Sequence, residues 1–544
     1  MQYFIGIDVG TGSARAGIFD QKGRLIADAS KAISLFRPQP HFAQQSSKNI
    51  WQSIVSSVRE AVLTAQIDAA DVKGIGFDAT CSMVVLDSQG RSLSISPMGE
   101  PEQDTIVWMD HRALQQTDKI NQQGHSVLDY VGGKISPEMQ TPKLLWLKEH
   151  LNDVYQNARY FFDLPDFLTW KATSDDSRSL CSTVCKWCYI GHENRWDESY
   201  FQDIGLGDLL DNNARRIGDK ILPIGSPLGE GLTAAAAAEL GLCQGTAVSV
   251  SMIDAHAGGI GVLGAGMTSE DEFNSRIALI GGTSSCHMAI APEARFVPGV
   301  WGPYYSAMVP GQWLNEGGQS ATGQLVDYII ESHPAYQDWF NECQKSGITI
   351  YQALNNTLQK MAIARDCRID MLCRDMHMLP YFLGNRSPRA NAHLTGSITG
   401  LSLDRSREQM ALQYLNAIQA IALGTRHIIE AMNQQGYNID TIMACGGGTK
   451  NPLFLQVHAN ACQAKIILPQ EPEAVILGSA MMAASASGHY PSLSAAMMAM
   501  SDVGDSVEAD TALATFYDAK YEVFHALYDD HNRYQTIMNK AFKA

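Results

Sequence analysis

The chain has 544 residues, which is too long for a single hydrophobic core and indicates a protein of two domains or two lobes. Its hydrophobic content of 45% and its charged content of 18% are typical of a globular protein. The formal net charge of −17 argues against nucleic acid and anionic membrane surfaces as partners, because both require basic patches.

The N-terminus and the cysteines indicate the cellular compartment of the protein. "MQYFIGIDVG" lacks the basic start and the long apolar run of a secretory signal, and no stretch reaches the roughly 18 apolar residues of a membrane helix. We therefore expect a cytoplasmic protein that binds neither membrane nor nucleic acid. The eleven cysteines favour reduced thiols over a disulfide framework. The spacing of Cys181, Cys185, Cys188 and His192 fits no zinc template, so buried thiols are expected there.

The first predicted elements are strands. Residues 3–9 are apolar and are followed by "GTGS", "ARAGIFD", the turn "QKGR" and "LIAD", a pattern that predicts three antiparallel strands. Apolar residues at helical spacing predict a helix over residues 48–66. "VKGIGFDAT" then predicts another strand. Strands followed by a helix and a further strand are typical of an α/β layer.

A similar order of elements returns in the second half. Residues 275–292 read as strand, Gly-Thr-Ser turn and strand. An amphipathic helix ending at Gly436, a strand at "TIMACGGG" and a helix from about Asn451 follow. The repetition indicates a duplicated fold with a boundary near 265–274, and the last fifty or so residues are predicted to be helical.

Glycine-rich loops follow three of the predicted strands, at residues 8–15, 281–285 and 446–452. Glycine lets backbone N–H groups approach phosphate oxygens, and Thr or Ser adds a hydroxyl donor. Together the three loops indicate a nucleotide site. Arg15 interrupts the dinucleotide pattern G-x-G-x-x-G, and the P-loop pattern G-x-x-x-x-G-K-[ST] does not occur, so neither of those nucleotide folds is predicted.

The stretch "FDATCSMVVLD" places Asp78, Thr80, Cys81 and Ser82 inside an otherwise apolar strand region. An unpaired buried polar group costs about 1–3 kcal/mol, so these side chains need partners.

These motifs resemble those of the FGGY carbohydrate kinases, in the sugar kinase–Hsp70–actin superfamily, over residues 3–485. "IGIDVGTGSARAGIFD" and "GGTSS" look like the two phosphate motifs, "CGGGTKNPLFLQVHAN" like the adenosine motif, and "SMIDAHAGGIGVLG" like the segment that holds the catalytic Asp. "KLLWLKEH" and "GSITGL" match parts of the two family signatures.

The resemblance implies an α/β fold with two ribonuclease H-like, actin-type ATPase lobes and a nucleotide and sugar cleft between them. It implies an N-terminal lobe over residues 1–268, a C-terminal ATP-binding lobe over 269–486 and a helical extension over 487–544. A homodimer is compatible with the resemblance, since dimers are common in the family.

The resemblance also implies phosphorylation of a small-molecule sugar, with ATP and Mg²⁺ as cofactors. Asp254 is then the base that accepts the proton of the sugar hydroxyl, although its position before a predicted helix also fits an N-cap. Asp8 and Asp254 are expected to hold Mg²⁺ through water. The expected ATP contacts are Thr11, Gly12, Ser13, Arg15, Gly282, Thr283, Gly318, Gly446, Gly447, Gly448 and Asn451.

The expected sugar contacts are Thr80, Cys81, Ser82, Trp108, Asp110, Lys186, Asp254 and Glu316. Trp108 fits a core position equally well. "TCSMV", "CKW" and "EGGQS" most resemble the ribulokinase-like branch, which points to the ketopentose D-ribulose. L-Ribulose, xylulose and ribitol stay open as substrates, and so does the sugar-independent ATPase activity of the actin and Hsp70 relatives.

Overall fold

The apolar runs of the first half form a sheet with helices packed around it. The computed structural model describes residues 1–542. Its first 22 elements are, in chain order, β1 (Tyr3–Val9), β2 (Ser13–Phe19), β3 (Leu25–Ala32), β4 (Gln44–Gln45), α1 (Ser47–Ala65), β5 (Val72–Ala79), β6 (Met83–Leu86), β7 (Thr105–Ile106), α2 (Leu114–Gln123), α3 (Gln140–His150), α4 (Asn152–Asn157), β8 (Tyr160–Asp163), α5 (Leu164–Thr173), β9 (Arg178–Ser179), α6 (Leu180–Lys186), α7 (Glu198–Asp203), α8 (Asp211–Ala214), β10 (Ile221–Leu222), α9 (Ala234–Leu240), β11 (Ala247–Val248), β12 (Met252–Ile253) and α10 (Asp254–Leu263).

The first sheet has the order β11-β5-β1-β2-β3, and β12 also pairs with β5. The pairs β1–β2 and β2–β3 are antiparallel, which confirms the three predicted strands, whereas β1 and β5 run parallel. Asp8 lies opposite Asp78, and Ile253 lies opposite Ala79. Because β1, β5 and β12 are parallel, the polar residues at their carboxyl ends meet at one edge of the sheet.

The second half forms another sheet from the elements β13 (Arg276–Gly281), β14 (Ser285–Ala291), β15 (Trp301–Tyr305), β16 (Trp313–Gln319), α11 (Gly323–Glu331), α12 (Tyr336–Lys345), α13 (Ile350–Ala364), β17 (His377–Leu379), β18 (Ser397–Thr399), α14 (Arg407–Asn433), β19 (Thr441–Gly446), α15 (Pro452–Cys462), β20 (Lys465–Pro469), α16 (Ala474–Ala486), α17 (Leu493–Met500), β21 (Val503–Val507) and α18 (Ala514–Phe542). Its strand order is β15-β16-β14-β13-β19-β20-β21. The predicted hairpin at 275–292 and the predicted long helix are both present.

The C-terminal extension is not all-helical as expected. β21 pairs antiparallel with β20, so residues 503–507 add an edge strand to the second sheet. The five residues "VGDSV" are mostly exposed, and their two valines at the ends do not give the apolar alternation that would indicate a strand. Hydrogen bonding to the neighbouring edge, rather than burial, accounts for this strand.

Helix α16 joins the two lobes. It lies between β20 and β21 of the second sheet along the chain but packs against β1, β5 and α10 of the first lobe. The first sheet receives this helix at glycines: a Cβ atom on Gly6 would lie 1.9 Å from the Ile476 carbonyl oxygen, and one on Gly76 would lie 2.0 Å from the Ser479 carbonyl oxygen. The missing side chains therefore allow a helix backbone to lie directly on the sheet. No helix within residues 1–542 combines the length and apolar character needed to cross a bilayer.

We expect Gly6→Ala to destabilise the protein by about 1–3 kcal/mol or more, because the new methyl group would overlap the Ile476 carbonyl and push α16 off the sheet. Thermal unfolding measured by circular dichroism checks this. Gly12→Ala is the matched control, since a Cβ atom there meets nothing within 4 Å. Equal melting temperatures for the two variants would contradict the close helix–sheet contact.

Candidate active site

Three carboxylates from three neighbouring strand ends face one another at the edge of the first sheet. Asp8 and Asp78 are paired positions on β1 and β5, and Asp254 follows β12 directly. Asp78 is fully buried; its Oδ2 accepts a hydrogen bond of 2.6 Å from the Ser479 hydroxyl, and its Oδ1 has no partner among the described residues. Burial and the charge of Asp8 raise the pKa of Asp78 well above its ordinary value.

Asp254 is the first residue of α10 rather than its N-cap, a position taken by Ile253. Its Oδ1 accepts a hydrogen bond of 2.7 Å from the Ala255 N–H, so one oxygen still serves the helix start. Burial and the nearby charge of Asp8 raise the pKa of Asp254 to about 6. A carboxylate with this pKa is ionised at neutral pH and is more basic than an ordinary aspartate, which suits a general base.

The same carboxylates fit a magnesium ion. Mg²⁺ prefers oxygen ligands and retains several of its waters, so one or two carboxylates suffice to hold it. Asp8 and Asp254 supply such oxygens, and the unpaired Oδ1 of buried Asp78 adds an acceptor that a bound water would satisfy.

The first glycine-rich loop is the turn between β1 and β2, where Gly12 is exposed. Arg15 leaves this turn and donates two hydrogen bonds to Asp8 Oδ2, at 2.9 and 2.7 Å. Its third nitrogen forms an ion pair of 2.7 Å with Glu473, next to the start of α16. Arg15 is therefore held by a carboxylate on each side, and in this arrangement its charge is directed at Asp8 rather than at the open turn.

The second and third loops lie side by side. Gly281 and Gly446 are paired positions on β13 and β19, and a Cβ atom on Gly446 would lie 2.2 Å from the Gly281 carbonyl oxygen. Gly446 has a φ of +94°, which favours glycine. Gly282 and Thr283 are exposed in their turn, and a Cβ atom on Gly447 would meet nothing within 4 Å. The Gly282 N–H donates to the Ser284 carbonyl within its own turn, at 2.8 Å, but both loops are open to a phosphate or a ribose.

Two residues predicted to contact the nucleotide are in contact with other residues of the protein. The Asn451 side chain caps α15, donates a 2.6 Å hydrogen bond to the Tyr414 hydroxyl and accepts one of 3.0 Å from Asn355. Gly318 is buried, and a Cβ atom there would lie 2.9 Å from Arg386 Cδ. In this structure Asn451 shapes the third loop and Gly318 makes room for Arg386.

The polar group in "FDATCSMVVLD" lies beside the first phosphate turn. The hydroxyls of Thr80 and Ser82 are 3.1 Å apart, and Ser82 Oγ accepts a hydrogen bond from the Trp108 N–H. The half-buried Trp108 indole N–H donates to the Thr11 hydroxyl at 3.0 Å. Trp108 therefore links this polar group to the phosphate turn and is not a plain core residue.

Charged residues from both lobes meet around Trp301. Lys186 Nζ lies 5.3 Å and the Arg386 guanidinium 4.5 Å from the Trp301 ring. No hydrogen bond is formed by Lys186 Nζ within the described chain. Burial would lower the pKa of Lys186, but Cys81, Glu316 and Glu138 raise it above its usual value, so the ammonium stays charged.

Glu316 completes this charged group. Its Oε2 accepts a hydrogen bond of 3.2 Å from His256 Nε2. Burial would raise the pKa of Glu316, but His256, Arg386 and Lys186 lower it to about 2. An ionised carboxylate next to a charged ammonium offers both acceptors and a donor, which is what a polyhydroxylated ligand requires.

The comparison with known proteins decides the family. Residues 3–261 match the N-terminal domain of the FGGY family of carbohydrate kinases, and residues 277–487 match its C-terminal domain. The chain belongs to the FGGY family of carbohydrate kinases. It is an enzyme, an ATP-dependent sugar kinase, and the two-lobed α/β fold implied by its motifs is confirmed.

The relatives cover nearly the whole of this FGGY kinase. An FGGY carbohydrate kinase domain-containing protein of Xenopus laevis is 48% identical over 99% of this chain and 98% of its own length. A D-ribulokinase of Saccharomyces cerevisiae is 37% identical over 90% of this chain and 72% of its own length. The crystal structure of xylulose kinase from Rhodospirillum rubrum matches with a TM-score of 0.79 at 22% identity, over 98% of this chain and 99% of that chain. At that identity the structure supports the fold alone.

Asp110, which the sequence predicted as a sugar contact of this FGGY kinase, is already paired within the protein. The residue is fully buried, and its two oxygens accept hydrogen bonds from Arg112 Nε and Nη2, both at 2.8 Å. The N–H groups of Ala43 and Arg112 occupy the oxygens further, at 2.7 and 2.9 Å. With both oxygens occupied by this buried ion pair, the carboxylate has no acceptor left for a ligand.

We expect Asp110→Ala to cost about 3–5 kcal/mol of stability, because it leaves the buried Arg112 guanidinium without its partner. The KM for sugar of the folded enzyme should stay unchanged. Chemical denaturation and steady-state kinetics check the two parts, with the exposed Asp505→Ala as control. A stable Asp110→Ala variant with a raised KM for sugar would indicate that Asp110 contacts the sugar after all.

His256, Arg386 and Trp301 were not predicted as site residues of this kinase. His256 lies two residues after Asp254 in "IDAHAGG", so its spacing was the available signal. Arg386 lies in the irregular segment between β17 and β18 and carries no motif. Trp301 pairs with Glu316 through β15 and β16, a contact that only the sheet register defines.

Proposed function

We propose that the enzyme phosphorylates a ketopentose, D-ribulose, to D-ribulose 5-phosphate. The main support for this choice of substrate is the 37% identity with a yeast D-ribulokinase over 90% of this chain. The charged and polar lining supports it: Lys186, Glu316 and the segment Thr80–Ser82 offer donors and acceptors around a compact site.

Asp254 is the base in this mechanism. Its carboxylate takes the proton of the primary hydroxyl of the sugar as the hydroxyl oxygen forms a new bond to the terminal phosphorus of ATP. The bond from that phosphorus to the bridging oxygen breaks, and ADP leaves. Phosphoryl transfer depends mainly on positioning and on charge neutralisation, so a base with a pKa near 6 is sufficient for the proton.

The phosphates are assigned to the exposed turns. Thr11, Gly12 and Ser13 face them from the N-terminal lobe, residues 1–268, and Gly282 and Thr283 from the C-terminal lobe, residues 269–486. Gly446, Gly447 and Gly448 are assigned to the nucleoside. Asp8 and Asp254 would hold Mg²⁺ through water, and the ion would offset the negative charge of the phosphates.

Cys81 fills space in the sugar site rather than reacting. Burial raises the pKa of the Cys81 thiol to about 12, so the thiol stays protonated at neutral pH. A thiol nucleophile is not needed for direct transfer to a hydroxyl. A small side chain in this place leaves room for a five-carbon sugar.

A coupled ADP-release assay tests the substrate. It compares kcat/KM for D-ribulose, L-ribulose, D-xylulose, ribitol and glycerol, together with a reaction that contains no sugar. D-Ribulose is expected to give the highest value, with little ADP formed in the absence of sugar. A large margin in favour of another sugar would overturn the D-ribulose assignment, and fast sugar-independent hydrolysis would favour an ATPase of the actin or Hsp70 kind.

A further inference from the structure

A buried group of two thiols and an imidazole lies next to the sugar site and is not used by the kinase mechanism. The residues are Cys181, Cys185 and His256, and their ligand atoms all lie within 4.8 Å of one another. We propose that this group binds a soft divalent cation of the zinc type, with the three side chains as ligands and a water as the fourth. We call it the Cys–Cys–His site. It is distinct from the oxygen-rich place assigned to Mg²⁺, and it does not depend on which sugar is phosphorylated.

The local fold brings the three ligands together. Cys181 and Cys185 are four residues apart on α6, so both thiols lie on the same face of the helix. His256 lies in the first turn of α10 and presents Nδ1 to Cys181 Sγ at 3.1 Å. Sequence spacing alone grouped Cys181 and Cys185 with Cys188 and His192. In the fold, Cys188 instead lies near the Tyr200 hydroxyl, at 3.8 Å, and the histidine next to Cys181 and Cys185 is His256 rather than His192.

The separations of the three ligand atoms are compatible with three positions of a tetrahedral site. With Zn–S near 2.3 Å and Zn–N near 2.0–2.1 Å, ligand atoms around zinc are separated by about 3.5–3.8 Å. The observed limit of 4.8 Å means that the side chains need to shift by about 1 Å or less. Three protein ligands and one water are also the arrangement of zinc sites that keep an open position.

The outer partner of the histidine supports the assignment. Metal-binding histidines commonly donate their other ring N–H to a carboxylate, which fixes the tautomer and strengthens the ligand. His256 Nε2 has such a partner in Glu316 Oε2 at 3.2 Å, on a strand of the other lobe. Nδ1 is then free to act as the ligand on the side of the thiols.

Charge balance also favours a metal. Two thiolates and a neutral imidazole around a divalent cation form a neutral site, and neutrality matters because all three side chains are buried. The site would tie α6 to α10 and, through His256, to the sugar contact Glu316.

The test is titration of the reduced, chelator-treated full-length protein with Co²⁺, followed by absorption spectroscopy. We expect one tightly bound ion, tetrahedral ligand-field bands and a sulfur-to-cobalt charge-transfer band. Cys181→Ser and Cys185→Ser should each lose the charge-transfer intensity and bind at least 10-fold more weakly. Cys188→Ser and Cys243→Ser are the matched controls, the first buried on the same segment and the second exposed, and both should bind as the wild type does.

A second measurement does not require the variants to fold. ¹¹³Cd NMR of the wild-type protein reports the number of sulfur ligands, and a resonance in the region of two thiolates is expected. Co²⁺ binding without a sulfur band, or binding lost only in Cys243→Ser, would overturn the Cys–Cys–His site. Asp254→Asn should keep the cobalt spectrum while losing kinase activity, so a failed metal test and a failed kinase assignment can be told apart. Loss of the spectrum in Asp254→Asn would place the ion at the carboxylates instead.

Discussion

Replacement of Asp254 by Asn is expected to lower kcat by about 10²–10⁴-fold, the usual contribution of a general base, with little change in the KM for ATP. The amide keeps the size of the side chain and can still accept the hydrogen bond from Ala255, but it cannot take a proton. Steady-state kinetics with saturating ATP and varied sugar measure the effect. Asp271→Asn, an exposed change just beyond α10, is the control.

The pH profile of the wild-type enzyme follows from the same residue. The base must be ionised to act, and burial with the charge of Asp8 raises the pKa of Asp254 to about 6. Activity should therefore rise with pH through about 6 and level off above it. The acid limb should disappear in the residual activity of Asp254→Asn. An unchanged profile in that variant would mean that another group accepts the proton.

Lys186→Met is expected to lower kcat/KM for sugar by about 10–100-fold and to leave the KM for ATP nearly unchanged. A charge-assisted hydrogen bond contributes about 1.5–3 kcal/mol, and Lys186 has a charged ammonium that forms no hydrogen bond within the described chain. Methionine keeps most of the side-chain volume while removing the ammonium, and with it both the donor and the cation–π contact with Trp301. Initial rates over a matrix of sugar and ATP concentrations separate the two effects.

Lys171→Met, an exposed change in the same lobe, should behave as the wild type does and serves as the matched control. A uniform fall in kcat with unchanged KM values for both substrates would contradict a direct sugar contact by Lys186. It would instead indicate that the lysine acts on the transferring phosphate.

Local sequence patterns were sufficient to predict much of the fold. The hairpins at 3–19 and 275–292 and the helix α14 follow from apolar periodicity and turn residues, both short-range signals. β21 could not be predicted in this way, since its mostly exposed residues are ordered by pairing with β20. The packing of α16 on the first sheet depends on contacts between residues that are hundreds of positions apart in the sequence. No local sequence pattern encodes such contacts.

The same division holds for the site. Asp8 is the penultimate residue of β1, and Asp254 directly follows β12, so both lie at strand ends as their motifs predicted. Asp110 shows the limit, because its partner Arg112 is only two residues away and a sequence does not reveal whether a carboxylate is already paired. Arg386 and His256 reach Glu316, the proposed sugar contact, from distant segments: Arg386 from the same lobe through its fold, and His256 from the other lobe through the packing of the two lobes.

A competition reaction tests the central assignment most directly. The wild-type enzyme receives equimolar ¹³C-labelled D-ribulose and unlabelled L-ribulose with limiting ATP and Mg²⁺, and mass spectrometry measures the ratio of labelled to unlabelled pentulose phosphate. The assignment predicts that labelled phosphate predominates and that Asp254→Asn forms very little of either product. Predominance of the unlabelled phosphate would contradict D-ribulose as the preferred substrate, and equal product formation by Asp254→Asn would contradict the catalytic base.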